Sequence, residues 1–183
     1  MVLDLVHSFD KRVEGVVAPW RGRPLADRVF YTASALGDFG LLWVVFALLR
    51  ALRGGRLHER AALRAVAATG IESVLVNVGL KALFPRERPD DQPDHPLPLR
   101  QPLSSSFPSG HATAAFCGAT LLADGDPLLA PVYYSCAAVV AASRVHVGMH
   151  HASDVAAGVG VGLVLGRIGK WVLPLHPRAR GRR

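Results

Sequence analysis

Apolar residues recur at helical spacing from the first turn of the chain. Val2, Leu3, Val6, Phe9, Val13, Val16, Val17 and Trp20 share one side, and Asp4, His7, Asp10, Lys11, Arg12 and Glu14 occupy the remaining surface. Residues 1–20 therefore predict an amphipathic helix lying in a membrane interface. Its acidic residues and interrupted apolar run do not read as a cleaved signal peptide. Pro19 and Pro24, with Arg21, Gly22 and Arg23 between them, break the pattern.

A bilayer core takes about 20 apolar residues to cross. Five runs approach that length: 33–49, interrupted by Asp38, then 65–84, 112–123, 128–143 and 155–173. The third and fourth are short and need their polar ends to reach the interfaces. Residues 85–108 hold seven of the 13 prolines with four acids and three arginines, so they predict a stiff loop outside the membrane. The expected fold is all-α: a polytopic membrane bundle of about five transmembrane helices plus the N-terminal interfacial helix. It is expected to form one domain over 1–183, with a core at 33–173 and a basic tail at 174–183.

Two finer patterns lie on the spans. Thr69, Ser73, Asn77 and Lys81 recur every fourth residue and should face protein rather than lipid, with Glu72 just off the stripe. Interhelical hydrogen bonds would explain Thr69 and Ser73, but Lys81 less readily. Gly158, Gly162 and Gly166 form a small-residue ridge that lets a second helix approach closely.

Composition agrees with a membrane protein. Half of the residues are hydrophobic, 19% are charged and mean hydropathy is +0.26, which excludes a disordered chain and fits a soluble domain poorly. A net charge of +7 would suit nucleic acid, but the charges cluster between apolar runs rather than along one stripe, so no nucleic-acid partner is expected. Cys117 and Cys136 sit inside apolar runs and read as small buried hydrophobes.

With five alternating spans, loop 84–107, the start of the third span and residues 144–154 emerge on one face. The other face receives 11 of the 21 basic residues, among them Arg50, Arg53, Arg56, Arg60, Arg64, Arg167 and Lys170. The positive-inside rule then puts the C-terminus in the cytoplasm and the polar constellation outside, with Arg21, Arg23 and Arg28 arguing the other way. An integral protein of the cell membrane is expected.

Three clusters converge on the outer face: Lys81 with Arg88-Pro89, then Pro108-Ser109-Gly110-His111, then Ser143-Arg144 with His150 and Asp154. Their order and spacing closely resemble the three-part signature of the type 2 phosphatidic acid phosphatase superfamily. The resemblance covers Lys81 to Asp154 directly and the five-span layout less securely. It implies a histidine-dependent lipid phosphatase that needs no metal or other cofactor, in which Lys81, Arg88, Ser109, Gly110 and Arg144 stabilise the transferring phosphoryl group.

The residues support those roles in their own right. Three cations at one membrane surface want an anion. Arginine grips phosphate oxygens bidentately, and a Ser-Gly turn entering a helix offers backbone N–H groups where the dipole is positive. One helical turn separates His150 from Asp154, so the carboxylate can hold one ring nitrogen while the other attacks phosphorus. His111 then protonates the leaving oxygen and later activates water. A zinc reading also exists, because His146, His150 and Asp154 are each four apart with His151 adjacent. The neighbouring cations oppose it.

The expected function is a phosphohydrolase acting through a phosphohistidine on a membrane lipid phosphate. Candidate substrates are a polyprenyl diphosphate or monophosphate, phosphatidate, phosphatidylglycerophosphate and a polyprenyl-phosphosugar phosphate. The alternatives are a non-catalytic protein that binds or transports such lipids and a relative of the vanadate-dependent haloperoxidases. The latter are typically larger and soluble.

Overall fold

The structure is a computed structural model that describes residues 1–89 and 104–175. The middle of the proline-rich loop, with Arg100, and the basic tail beyond 175 lie outside the described residues. Helix α1 spans Val2–Val17 and is followed by a 3-10 turn at Ala18–Trp20; α2 spans Pro24–Gly37 and α3 Leu41–Ala51. Helix α4 spans Arg56–Val74 and continues through a π-helical stretch, Leu75–Leu80, into the single turn α5, Lys81–Leu83. Helices α6 (Gly110–Ala123), α7 (Ala130–His146) and α8 (Ala152–Val172) complete the order, and no strand occurs among the described residues.

The spans differ in extent from the sequence expectation. The first apolar rod runs from Pro24 to Ala51 rather than from 33 to 49. Pro24 stands in its first turn, where a missing N–H costs nothing. It bends at Asp38–Gly40, where Phe39 and Gly40 both take positive φ, 54° and 68°. The second begins at Arg56 rather than 65, because Arg64 is buried inside the fold instead of marking a membrane edge. Three helices are long and apolar enough to cross a bilayer: Pro24–Ala51, Arg56–Leu83 and Ala152–Val172. Helices α6 and α7, with 14 and 17 residues, are shorter, so length alone does not give the expected five spans.

The short α6 is the hub. Ala112, Ala115, Cys117, Ala119, Leu121 and Leu122 are all buried around its circumference, so it is apolar on every side because it faces protein on every side. The glycine ridge of α8 lies against it. A Cβ added at Gly158 would sit 2.6 Å from the Ser109 carbonyl oxygen, and one at Gly162 would sit 2.4 Å from that of Thr113. Trp43 of α3 closes the opposite side over Gly118.

At the end of α6, the turn containing Asp124 and Asp126 is clamped by cations. Arg64 meets Asp124 at 2.7 Å and the Leu121 carbonyl at 2.9 Å; Lys170 meets Asp124 at 3.3 Å. Arg53 pairs with Asp126, and Arg50 donates to the Leu122 and Asp124 carbonyls. Several arginines counted above as topology signals are therefore structural partners of this turn. Cys117 is buried and Cys136 partly so, both as free thiols.

Helix α1 docks against α7 and α8. It leaves Leu3, Leu5, Phe9 and Val16 exposed, whereas Asp10, expected on the polar surface, is buried.

Candidate active site

The site lies at the other end of α6, where three helix termini meet. Ser109 is the N-cap of α6, its hydroxyl accepting from the Ala112 N–H at 3.5 Å. Its own N–H donates to the Asp154 carbonyl at 3.0 Å, stitching the first turns of α6 and α8 together. At the end of α7 the chain reverses through Gly148, φ 68°, and the N–H groups of Met149 and His150 both donate to the Arg144 carbonyl at 3.1 Å. That tight turn folds His150 back toward Arg144. Residues 84–88 and 104–107 are laced to each other: Ser106 N–H reaches the Arg86 carbonyl at 2.9 Å, and Ser105 Oγ the Phe84 carbonyl at 2.7 Å.

These segments bring the expected residues together. Lys81, Gly110, His111, Arg144 and His150 line one cavity of about 640 Å³. Arg88 completes the ring. Its Nη1 donates to the Met149 carbonyl at 2.7 Å and stands 3.4 Å from His150 Nε2, while Nη2 reaches the Ser104 carbonyl at 3.1 Å. Lys81 Nζ donates to Ser104 Oγ at 3.3 Å, and Arg144 donates to Ser34 Oγ. Ser109 and Asp154 are fully buried behind this ring. Lys81, Arg88 and Arg144 thus hydrogen-bond to neutral groups, serine hydroxyls and backbone carbonyls, while the Asp38 carboxylate acts electrostatically on Arg144.

The His150–Asp154 pair departs from the expected helical arrangement. His150 precedes α8, and Asp154 is the third residue inside it. Asp154 Oδ2 caps the helix by accepting from the His151 N–H at 2.9 Å, and it lies 3.7 Å from His150 Nδ1, which has no hydrogen-bond partner. The two groups are poised rather than bonded, as catalytic pairs often are before substrate draws them together. Burial pushes the His150 imidazole down to about 3, the nearby Asp154 carboxylate opposing and Arg144 and Arg88 reinforcing the shift. His150 is therefore neutral, the form that can attack. Burial also lowers Arg88, against the pull of Asp154.

His111 lies across the cavity with Nε2 3.0 Å from Asp38 Oδ1. Asp38 was legible only as an interruption of an apolar run, yet the bend between α2 and α3 turns it to this histidine. Arg86 and Asp10 also escaped notice, and both join the network behind Asp154. A lone carboxylate inside an apolar stretch is the only signal that could have singled out Asp38.

His146 does not join the site. Its Nε2 is 2.8 Å from Asp27 Oδ1 of α2, and its ring stacks on Phe30 with centroids 4.6 Å apart. His151 meets Asp154 on the helix-cap side. Among the described residues no three of His, Cys, Asp and Glu cluster as a metal set, and His146 of the zinc reading pairs with Asp27 instead of joining His150 and Asp154. The stripe on α4 is also redefined. Thr69 and Asn77 hydrogen-bond within their own helix, to the Ala65 and Ser73 carbonyls, and Thr69, Ser73 and Asn77 line the cavity rather than a helix interface.

The sequence profile of the PAP2 superfamily matches residues 61–178, which include every expected site residue. The chain belongs to the PAP2 superfamily. Among curated relatives of this PAP2 protein, decaprenylphosphoryl-5-phosphoribose phosphatase of Mycobacterium tuberculosis is 34% identical over 163 residues, covering 86% of this chain and 89% of that one. Among solved structures, the transmembrane PAP2-type phosphatidylglycerolphosphate phosphatase from Bacillus subtilis superposes with a TM-score of 0.72 at 28% identity, covering 96% of this chain and 90% of that one. LpxE of Aquifex aeolicus gives 0.66 at 27% identity, over 91% of this chain and 93% of its own. This PAP2 protein is an integral-membrane lipid phosphatase, a hydrolase of phosphate esters.

Proposed function

We propose that this PAP2 protein removes the terminal phosphate of a lipid phosphate through a phosphohistidine on His150. The observation that carries the reading is the convergence of His111, His150, Lys81 and Arg144 on one cavity from chain segments far apart in sequence. His150 Nε2 attacks phosphorus while Asp154 receives the Nδ1 side of the ring. The bond from phosphorus to the lipid oxygen breaks, and His111, beside Asp38, gives that oxygen its proton. Water then attacks the phosphohistidine, His111 takes the water proton, and the phosphorus–nitrogen bond breaks to release phosphate. Lys81, Arg88, Arg144 and the Ser109-Gly110 turn stabilise charge on the equatorial oxygens throughout.

The substrate class best supported is a phosphorylated sugar carried on a polyprenyl phosphate. The mycobacterial relative is named for such a compound. The cavity runs beyond the cations along α4 as far as Val66, past Asn77, Ser73, Glu72 and Thr69. Fifteen helical residues make that wall about 22 Å long, far more than one phosphoryl group fills. Glu72 is 2% exposed and neither of its oxygens has a hydrogen-bond partner, so sugar hydroxyls would relieve a costly buried group.

We further propose that the site faces outside and the C-terminus the cytoplasm, supported by Arg56, Arg60 and Arg167 at the opposite end of the helices. An impermeant label reaching a tag after Arg183 in intact cells would reverse that orientation.

The test of function is phosphate release from a panel of lipid phosphates, with acid-labile ³²P trapped on the protein. His150→Ala and His111→Ala should abolish turnover; the first should prevent labelling outright and the second should slow it, because His111 protonates the leaving oxygen in the labelling step. Normal turnover in either sinks the mechanism. Glu72→Gln should raise KM for a sugar-phosphate lipid several-fold and leave that for phosphatidate unchanged. Equal effects on both would remove the sugar assignment.

A further inference from the structure

One buried polar network lies behind the cavity, where the chemistry above does not require it. Asp10 of α1 is 7% exposed, and both of its carboxylate oxygens are engaged. Its Oδ1 accepts from the Ser153 backbone N–H at 2.7 Å, and its Oδ2 from Ser153 Oγ and Arg86 Nη2, each at 2.8 Å. Arg86 then reaches inward with its other arm. Its Nη1 donates to Asp154 Oδ1 at 2.5 Å and to Ser153 Oγ at 2.8 Å.

A guanidinium held on two carboxylates by its two arms acts as a rigid spacer, because its donors are coplanar and fixed in direction. Here one carboxylate belongs to the N-terminal helix and the other is the partner of His150. Pinning Asp154 Oδ1 on Arg86 leaves Oδ2 directed at the His151 N–H and at His150 Nδ1, 3.7 Å away. The arrangement fixes which lone pairs face the imidazole, and hence which edge of the ring faces the cavity.

We infer that Asp10 and Arg86 are positioning residues for phosphoryl transfer, forming a clasp from α1 that orients Asp154 and, through it, His150. The inference rests on the reading of His150 as nucleophile. Its signature is specific, because Lys81, Arg88 and Arg144, which would bind the phosphate, are not among its members. Loosening the clasp should slow the chemical step and leave substrate binding intact, since a misplacement of about 1 Å can cost on the order of 100-fold in rate.

The experiment uses the full-length protein in lipid nanodiscs, with phosphatidate and a short polyprenyl diphosphate as probes. Asp10→Asn keeps the size of the side chain and its acceptor for Ser153 but removes the charge opposite Arg86. Arg86→Lys keeps charge but cannot span both carboxylates. Each should lower kcat about ten-fold or more with KM within two-fold, on the scale of small positional errors, and should slow phosphohistidine formation in a single turnover. Arg86→Gln with Asp10→Asn should be no slower than Arg86→Gln alone, as members of one unit are not additive. Lys11→Ala, an exposed change on the same helix, should match the wild type. The clasp is refuted by wild-type kcat in either conservative variant, by a loss confined to KM, or by multiplicative effects in the double variant. Turnover surviving in His150→Ala would instead refute the nucleophile assignment; a dead His150→Ala beside a fully active Arg86→Lys would refute the clasp alone.

Discussion

Gly162→Ala is the most direct probe of whether α8 sits on α6 as closely as described. The added methyl carbon would lie 2.4 Å from the Thr113 carbonyl oxygen and 3.1 Å from both Cys117 N and Phe116 Cβ. Two of those three atoms are backbone, so no rotamer change relieves the clash. A carbon–oxygen contact needs about 3.2 Å or more, so the helices must part by close to 0.8 Å, and overpacking of that kind costs on the order of 1–3 kcal/mol. For a chain of this size, 2 kcal/mol lowers the unfolding midpoint by roughly 4–8 °C. The same shift acts two turns from Asp154, whose carbonyl holds the Ser109 N–H, so turnover should fall along with stability. Gly160→Ala is the internal control, because nothing lies within 4 Å of its added carbon. Thermal unfolding in nanodiscs, read beside initial rates of phosphate release, decides the matter. If Gly162→Ala and Gly160→Ala melt together and turn over alike, the packing argument is wrong.

Asp38→Asn keeps the shape of the group facing His111 but removes its charge, and should lower kcat about 10–100-fold, less than the roughly 100–10,000-fold lost with the acid–base group itself; steady-state rates at saturating substrate test this. Arg88→Lys cannot reproduce the fork that meets Met149 and faces His150, and should lower kcat/KM by about 100-fold, comparable to removing one transition-state donor. A loss below three-fold would exclude Arg88 from the phosphate ring. The depressed His150 makes stability depend on pH. The unfolded chain takes up a proton below about 6.5 and the folded one does not, so stability is complete above that value and declines as pH falls toward 3. Between pH 7 and 5 this amounts to about 2 kcal/mol. His150→Gln should flatten the corresponding slope in unfolding midpoints, and an unchanged slope would contradict a buried neutral imidazole.

Local spacing made much of this architecture readable. The glycine ridge worked because a four-residue repeat of small side chains has one geometric use, and Gly158 and Gly162 meet α6 as that use requires. Lys81, Arg88, Ser109, Gly110, His111, Arg144, His150 and Asp154 were legible because their order and intervals are far more specific than any single one. The failures share a cause. The charge of Arg64 suggests a boundary, but its partner Asp124 and the Leu121 carbonyl arrive from α6 and its end. Helical phase puts Asp10 on the polar surface, yet the groups it meets, Arg86 and Ser153, are 76 and 143 residues away. No pattern within one helix reveals a counter-charge on another. The His150–Asp154 interval differs for another reason: four residues suggest one turn of a single helix, but the helix begins between the two residues.

Both ends of the bundle are rich in cations, and what distinguishes them is the counter-charge. Arg50, Arg53, Arg64 and Lys170 are tied to Asp124, Asp126 and the carbonyls that end α6, so their charge is spent on closing a turn. Lys81, Arg88 and Arg144 converge on the start of the same helix, and their described polar contacts are neutral groups: serine hydroxyls, backbone carbonyls and the His150 ring. Among the carboxylates nearby, Asp38 meets His111, Asp154 meets Arg86 and the α8 cap, and Asp10 meets Arg86 and Ser153. The site thus brings three like charges together at one helix start, at a cost in self-repulsion that the rest of the fold must carry. A phosphoryl group entering among them gains interactions with all three at once, and gains most when its negative charge spreads over the equatorial oxygens. Asp38 and Asp154 stand beside the two histidines of the cavity, an arrangement that suits acid–base and nucleophilic steps of phosphoryl transfer.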